Sequence, residues 1–226
     1  MNEREEYLAY RKARKQENKP NYYLRGEEEL ERIRAEFIDR KPRILMHACC
    51  AVCAGWPVTY LRDFFDITLY YGNSNIWPES EYERRLNELK RLIHEAWDNT
   101  VELVIPPYDN PSFTEMLAPR KDDPEGWKRC FLCYEKRMDD AYTYASEHQF
   151  DYFTTVMTIS RQKDSQKLNE IGAQLSEKYP GVRYFYSDFK KKDGQLRRNE
   201  IIAQYDLYNQ NYCGCIFSLH NNEKAQ

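Results

Sequence analysis

The stretch Arg43-Ile-Leu-Met-His-Ala-Cys49-Cys50-Ala-Val-Cys53 decides the reading of this chain. Its first six residues form an apolar run of strand length, and three cysteines follow at once. In a strand, Cys49 and Cys50 would point to opposite faces. For both to serve one site, the chain must leave the strand near Ala48. The cysteines then lie beyond the carboxyl end of a strand, where α/β sheets bind their ligands.

Outward from there the pattern alternates. Ala54 to Phe65 reads as a helix, with Pro57 tolerable in its first turn. Asp66 to Tyr71 is a β-branched and aromatic strand stopped by Gly72-Asn73. Glu79 to Trp97 is a long helix whose Leu86, Leu89, Leu92, Ile93 and Ala96 share one face. Val101 to Ile105 is a third strand and Asp151 to Thr155 a fourth. Helices follow at Cys130 to His148 and Lys163 to Lys178. Val182 to Tyr186 is a fifth strand, and Arg197 to Tyr208 a last helix. Strands alternating with helices predict an α/β fold, a mostly parallel Rossmann-like sheet with helices on both faces. Residues 1–40 are highly charged, with a helix over Glu28 to Phe37. They read as an N-terminal helical extension on a domain spanning 41–226.

Composition narrows the class. The 226 residues are 41% hydrophobic, 31% charged and 15% aromatic, with mean hydropathy −0.91. Nineteen tyrosines argue against disorder. The net charge of −3 disfavours wholesale nucleic-acid binding but allows a local basic patch. The charged start lacks the apolar core of a signal peptide. The uncharged run Ile44 to Leu61 carries His47, Gly55 and Pro57, so it is not read as a membrane span. Neither a dinucleotide glycine fingerprint nor a phosphate loop occurs.

The seven cysteines fall in three groups: 49, 50 and 53; 130 and 133; 213 and 215. An odd count without a secretion signal points to a reducing cytoplasm and to metal or redox chemistry. Cys130-Phe-Leu-Cys133 opens a helix, where residues three apart share a face and the dipole favours thiolates. Cys49, Cys50, Cys130 and Cys133 give four thiolates, suited to an iron–sulfur cluster or a structural zinc. The vicinal pair on a sheet crevice favours the cluster. Cys213-Gly-Cys215 can close a small, strained and therefore reducible disulfide. A metal-ligand pair or two unrelated thiols are the alternatives there.

The vicinal Cys-Cys-x-x-Cys motif, Arg129-Cys-Phe-Leu-Cys-Tyr134, Phe153-Thr-Thr-Val-Met-Thr-Ile-Ser160 and Tyr212-Cys-Gly-Cys-Ile-Phe-Ser218 together resemble QueH, the cobalamin-independent epoxyqueuosine reductases. The resemblance runs from Arg43 to Leu219. It implies reduction of epoxyqueuosine to queuosine at the wobble nucleotide of tRNA, without cobalamin, fed by an external electron donor. It implies a [4Fe–4S] cluster on Cys49, Cys50, Cys130 and Cys133, and a redox-active disulfide between Cys213 and Cys215. An additional iron is expected in the family, with Cys53 as its candidate ligand.

For the proton that such a reduction needs, Asp188 is the sequence candidate, because it follows the fifth strand. His47 reads as a core histidine. Lys190, Lys191, Lys192, Arg197 and Arg198 form the best patch for tRNA phosphates. Arg161, Lys163 and Lys167 read as a solvated face. Trp56, Trp77 and Tyr71 are candidates to stack on an extruded base. Two rivals stand beside this reading: an ATP-using tRNA sulfur-transfer enzyme and a zinc-stabilised RNA-binding module. The first should carry a glycine- and serine-rich phosphate loop where Cys49 to Gly55 stand.

Overall fold

The structure is a computed structural model that describes residues 2–223. Two helices, α1 (Glu3–Gln16) and α2 (Tyr22–Glu36), precede the sheet. The body runs β1 (Arg43–His47), α3 (Ala51–Leu61), β2 (Asp66–Tyr70), α4 (Glu79–Trp97), β3 (Glu102–Val104) and α5 (Asn110–Leu117). It continues α6 (Lys128–Glu147), β4 (Tyr152–Thr155), α7 (Ser165–Lys178), β5 (Arg183–Tyr184), α8 (Gly194–Gln204) and α9 (Ile216–Glu223).

The five strands pair in the order β3-β2-β1-β4-β5, all parallel. β1 is central: Met46 faces Leu69 of β2 and Thr154 of β4. The chain lays β2 and β3 on one side of β1, then returns to lay β4 and β5 on the other. That reversal makes a switch point at the carboxyl ends of β1 and β4, the place where open parallel sheets form ligand crevices. Ile44, Leu45 and Met46 are wholly buried, as a central strand covered on both faces requires.

Several boundaries differ from the sequence expectation. α3 starts at Ala51 rather than Ala54, because Cys50 already caps it and Ala54 N bonds the Cys50 carbonyl at 3.0 Å. Pro57 therefore lies inside the helix, where it has no N–H for the Cys53 carbonyl. The last predicted helix is displaced toward the N-terminus, to Gly194–Gln204. α5 was not anticipated, although Asp109 caps it through Ser112 N and Pro111 sits in its first turn.

The N-terminal segment holds two helices where one was expected. α2 buries Tyr22, Leu30 and Ile33, and Tyr22 stacks on Tyr186 at 5.4 Å. α1 buries no residue. It lies across the start of α6: Tyr7 Oη donates to the Glu125 carbonyl, Trp127 Nε1 donates to Glu3, and Lys128 pairs with Glu6 at 2.6 Å. Among the described residues, no helix is long and apolar enough to cross a membrane.

Candidate active site: a thiol-lined cavity

The turn from β1 to α3 brings three thiols together. Cys50 has extended backbone and caps α3, Cys49 precedes it, and Cys53 lies one turn on. Their sulfurs all lie within 4.8 Å of one another, with Cys49 Sγ and Cys50 Sγ 3.8 Å apart. All three are buried. Cys49 and Cys53 border a cavity of about 430 Å³ that Cys213 also lines.

Cys130 and Cys133 stand in the first two turns of α6. Their electrostatic partners include Cys213, and Cys130 also senses Cys215. Arg137, one turn beyond Cys133, lies beside that thiol and also senses Cys49. The sulfurs thus form a tight trio and a second group of four, with Arg137 between them. The trio is the group closed to metal-ligand distance among the described residues; Cys130 and Cys133 stand outside it. All seven cysteines are free thiols here.

Burial pushes Cys130 up to about 12 and Cys133 to about 11, and Cys215 to about 12. Cys50 goes the other way. Hydrogen bonds from Cys49 and Cys53, the Arg85 charge and Gln210 hold it well below the ordinary thiol range. Gln210 Nε2 donates to Cys50 Sγ at 3.0 Å, and Gly126 N donates to Cys130 Sγ at 3.2 Å. N–H donors aimed at sulfur stabilise thiolates, and so does positive charge. Five cations line this cavity, Arg85, Arg137, Arg161, Lys163 and Arg198, against the carboxylate of Glu125. Buried free thiols, sulfur-directed donors and surrounding cations are the donor set that a metal–thiolate centre requires. The residues fit such a group.

A segment after α8 closes one side. Arg85, 2% exposed and paired with Glu81 at 2.7 Å, donates to the Cys213 and Tyr212 carbonyls. Trp77 N donates to the Gly214 carbonyl, and Tyr212 Oη to the Trp77 carbonyl. Gly214 takes φ +112°, a backbone that side chains rarely adopt. Asn75 Oδ1 and Gln210 Oε1 are buried without a partner, and both residues border the cavity.

Other sequence candidates land elsewhere. His47 Nε2 donates to the Gly72 carbonyl and Nδ1 meets Thr155 Oγ1. Burial pushes this imidazole down to about 3, as befits a satisfied core histidine. Asp188 does not line the thiol cavity. It accepts from Ser165 and pairs with Lys190 at 3.0 Å, beside a second cavity of about 320 Å³. Lys190 is spent on Asp188 and the Thr158 carbonyl. Lys191, Lys192 and Arg197 border that second cavity with Trp56 and Tyr60, whereas Arg198 borders the thiol cavity. Arg161 and Lys163, expected on a solvated face, line the thiol cavity. The chain turns inward after the 3-10 turn Val156–Ile159, and no local pattern signals that.

Against known proteins, residues 44–221 match the family described as Epoxyqueuosine reductase QueH. The chain belongs to this family. It is 39% identical over 181 residues to the Epoxyqueuosine reductase QueH of Streptococcus pyogenes, covering 79% of this chain and 71% of that protein. The proteins of the same name from Staphylococcus aureus and Staphylococcus epidermidis are 37% and 36% identical over 183 residues, covering 79% of this chain and 76% of each. The chain is thus an oxidoreductase of the QueH type, as its four cysteine-bearing and flanking motifs imply. The sulfur-transferase and zinc-module readings are set aside by this match.

Proposed function

We propose that this chain removes the epoxide oxygen of epoxyqueuosine at the wobble nucleotide of tRNA, forming queuosine. The reaction takes up two electrons and two protons and releases water. The observation that carries the reading is the buried thiol trio at the end of the central strand, in a chain of this family.

Cys49, Cys50, Cys130 and Cys133 would hold a [4Fe–4S] cluster, and Cys53 would face an additional iron, with no cobalamin required. Such a cluster supplies electrons singly at a potential tuned by hydrogen bonds to its sulfurs. Gln210 and Gly126 are placed to make those bonds. Cys213 and Cys215, 9% exposed at Cys215, would cycle between dithiol and disulfide and relay electrons from an external donor. Free thiols of this kind suit a reducing cytoplasm. Lys191, Lys192, Arg197 and Arg198 would meet tRNA phosphates, with Lys190 bracing their segment and Trp56 offering a stacking face.

Iron, zinc and acid-labile sulfide are measured after anaerobic purification, with spectra before and after dithionite. About four irons and four sulfides with a bleaching band support the cluster, and a further iron supports the second site. Zinc without sulfide, even after reconstitution, overturns the reading. Cys213→Ser keeps its iron and stops after one turnover; loss of iron in that variant removes the relay role.

A further inference from the structure

We propose that Lys163 is a catalytic residue that gives its proton to the oxygen leaving the substrate epoxide, an inference that rests on the reductase reading above. Lys163 lies in the turn between the end of β4 and α7, half-buried, and lines the thiol cavity. Its ammonium makes no hydrogen bond or ion pair among the described residues. Burial and the nearby Arg137 charge disfavour its charged form, and the sulfurs of Cys213, Cys49 and Cys53 favour it. The other inward cations are committed: Arg85 to Glu81 and two carbonyls, Arg137 to Asn73. Arg161 is exposed at the rim. A half-buried ammonium without a partner is costly unless something in the cavity takes its donors.

The chemistry asks for such a donor. An epoxide oxygen leaves readily as water and poorly as an oxide, so an acid must reach it. The alternatives are less suited: burial raises the Tyr134 phenol, which borders the same cavity, well above its ordinary range, and the others are engaged or lie elsewhere. Glu125 accepts from Ser218, and Tyr212 is bonded to the Trp77 carbonyl. His47 has both ring nitrogens engaged, and Asp188 borders the other cavity. In the step, one epoxide carbon–oxygen bond breaks as the oxygen takes the proton from Lys163 Nζ, and the second breaks as the oxygen departs. The two electrons come from the reductant that the family's activity consumes. Solvent supplies the second proton, water leaves, an alkene remains, and solvent reprotonates Nζ.

The test uses anaerobically purified holoenzyme and an anticodon stem-loop carrying epoxyqueuosine. Lys163→Met lowers kcat about 100- to 1,000-fold, the span of general acid catalysis. KM stays within threefold, and iron, sulfide and the absorption spectrum are unchanged. Lys163→Ala regains part of its kcat when ethylammonium is added, which a structural role would not allow. Iron loss in step with activity assigns Lys163 to thiolate charge balance and overturns the proposal. A raised KM at full kcat makes it a substrate anchor and also overturns it. Unchanged kinetics in Lys163→Met overturn this inference alone. A parent protein that fails to reduce the stem-loop overturns the reductase reading and this inference with it.

Discussion

Gly214→Ala loosens the segment that holds the Cys-Gly-Cys pair. At φ +112° an alanine is strained, by about 1–3 kcal/mol for such a backbone. Its Cβ would also sit 2.9 Å from Arg85 Nη1 and 3.1 Å from Ile76 Cγ1. Ile76 is buried and Arg85 is fixed by Glu81, so neither gives way freely. Displacing Arg85 weakens its hydrogen bonds to the Cys213 and Tyr212 carbonyls, each about 1.5–3 kcal/mol when the donor is charged. With partial relaxation the opening free energy falls by about 3 kcal/mol, which is about a hundredfold in population. The assay is alkylation of the reduced protein at equal iron content, resolved by peptide mass spectrometry. Cys215, buried here, gains about a hundredfold in rate, and Cys53 keeps its parent rate. A Cys215 rate within threefold of the parent refutes the strain argument. An equal rise at Cys53 means global unfolding and refutes its local character.

Asp151 accepts from both Arg40 nitrogens and from Arg43 N, and these hold its carboxyl below the usual range. A depressed carboxylate stabilises the fold above the unfolded value near ~3.9, and that contribution is lost as pH falls through the native value. Asp151→Asn therefore costs about 1 kcal/mol at pH 7, after discounting for the exposed Arg40, and the gap narrows in urea titrations toward pH 3; a gap independent of pH would contradict this. In Gly172→Ala, the new Cβ would fall 2.1 to 2.5 Å from three ring atoms of buried Tyr184. Overpacking of about 2 kcal/mol lowers Tm by about 4–8 °C, and calorimetry showing an unchanged Tm would disprove the contact. Lys191→Gln weakens tRNA binding and flattens the slope of log K against log salt by about 0.7–0.9; an unaltered slope takes Lys191 out of the interface.

The sheet was legible because most strands are β-branched or aromatic runs with a clear stop, and β1 carries the uninterrupted apolar trio Ile44 to Met46. Glu79–Trp97 matched to the residue, since its apolar spacing and Pro78 mark both face and start. The site was legible only in part. Spacing along the chain shows which cysteines are neighbours in sequence, but not which sulfurs converge across α3, α6 and the segment before α9. Asp188 was expected at the crevice because it follows a strand. That strand, β5, is the sheet edge, and β4 stands between it and β1. Lys163 was hidden in a charged stretch whose inward turn is set by long-range packing. Residues Tyr205 to Cys215 have no periodicity to read, being held by Arg85, Arg91 and Trp77 from distant elements.

The helix α1 buries nothing, yet it grips the turn that carries Cys130 and Cys133. Part of its grip is ionic, with Glu3 and Glu6 on Lys128 and Glu3 on Arg120, beside the Tyr7 and Tyr10 rings packed on Trp127. Exposed pairs of this kind each contribute about 0–1 kcal/mol, and the Debye length shrinks to roughly 3 Å in molar salt. The sheet beneath is held by apolar burial, which salt does not screen. Ionic strength therefore slackens this edge of the redox pocket while the strands stay intact. The buffer sets how firmly two of the sulfurs are presented, so activity and metal retention in this chain are to be compared only at matched salt.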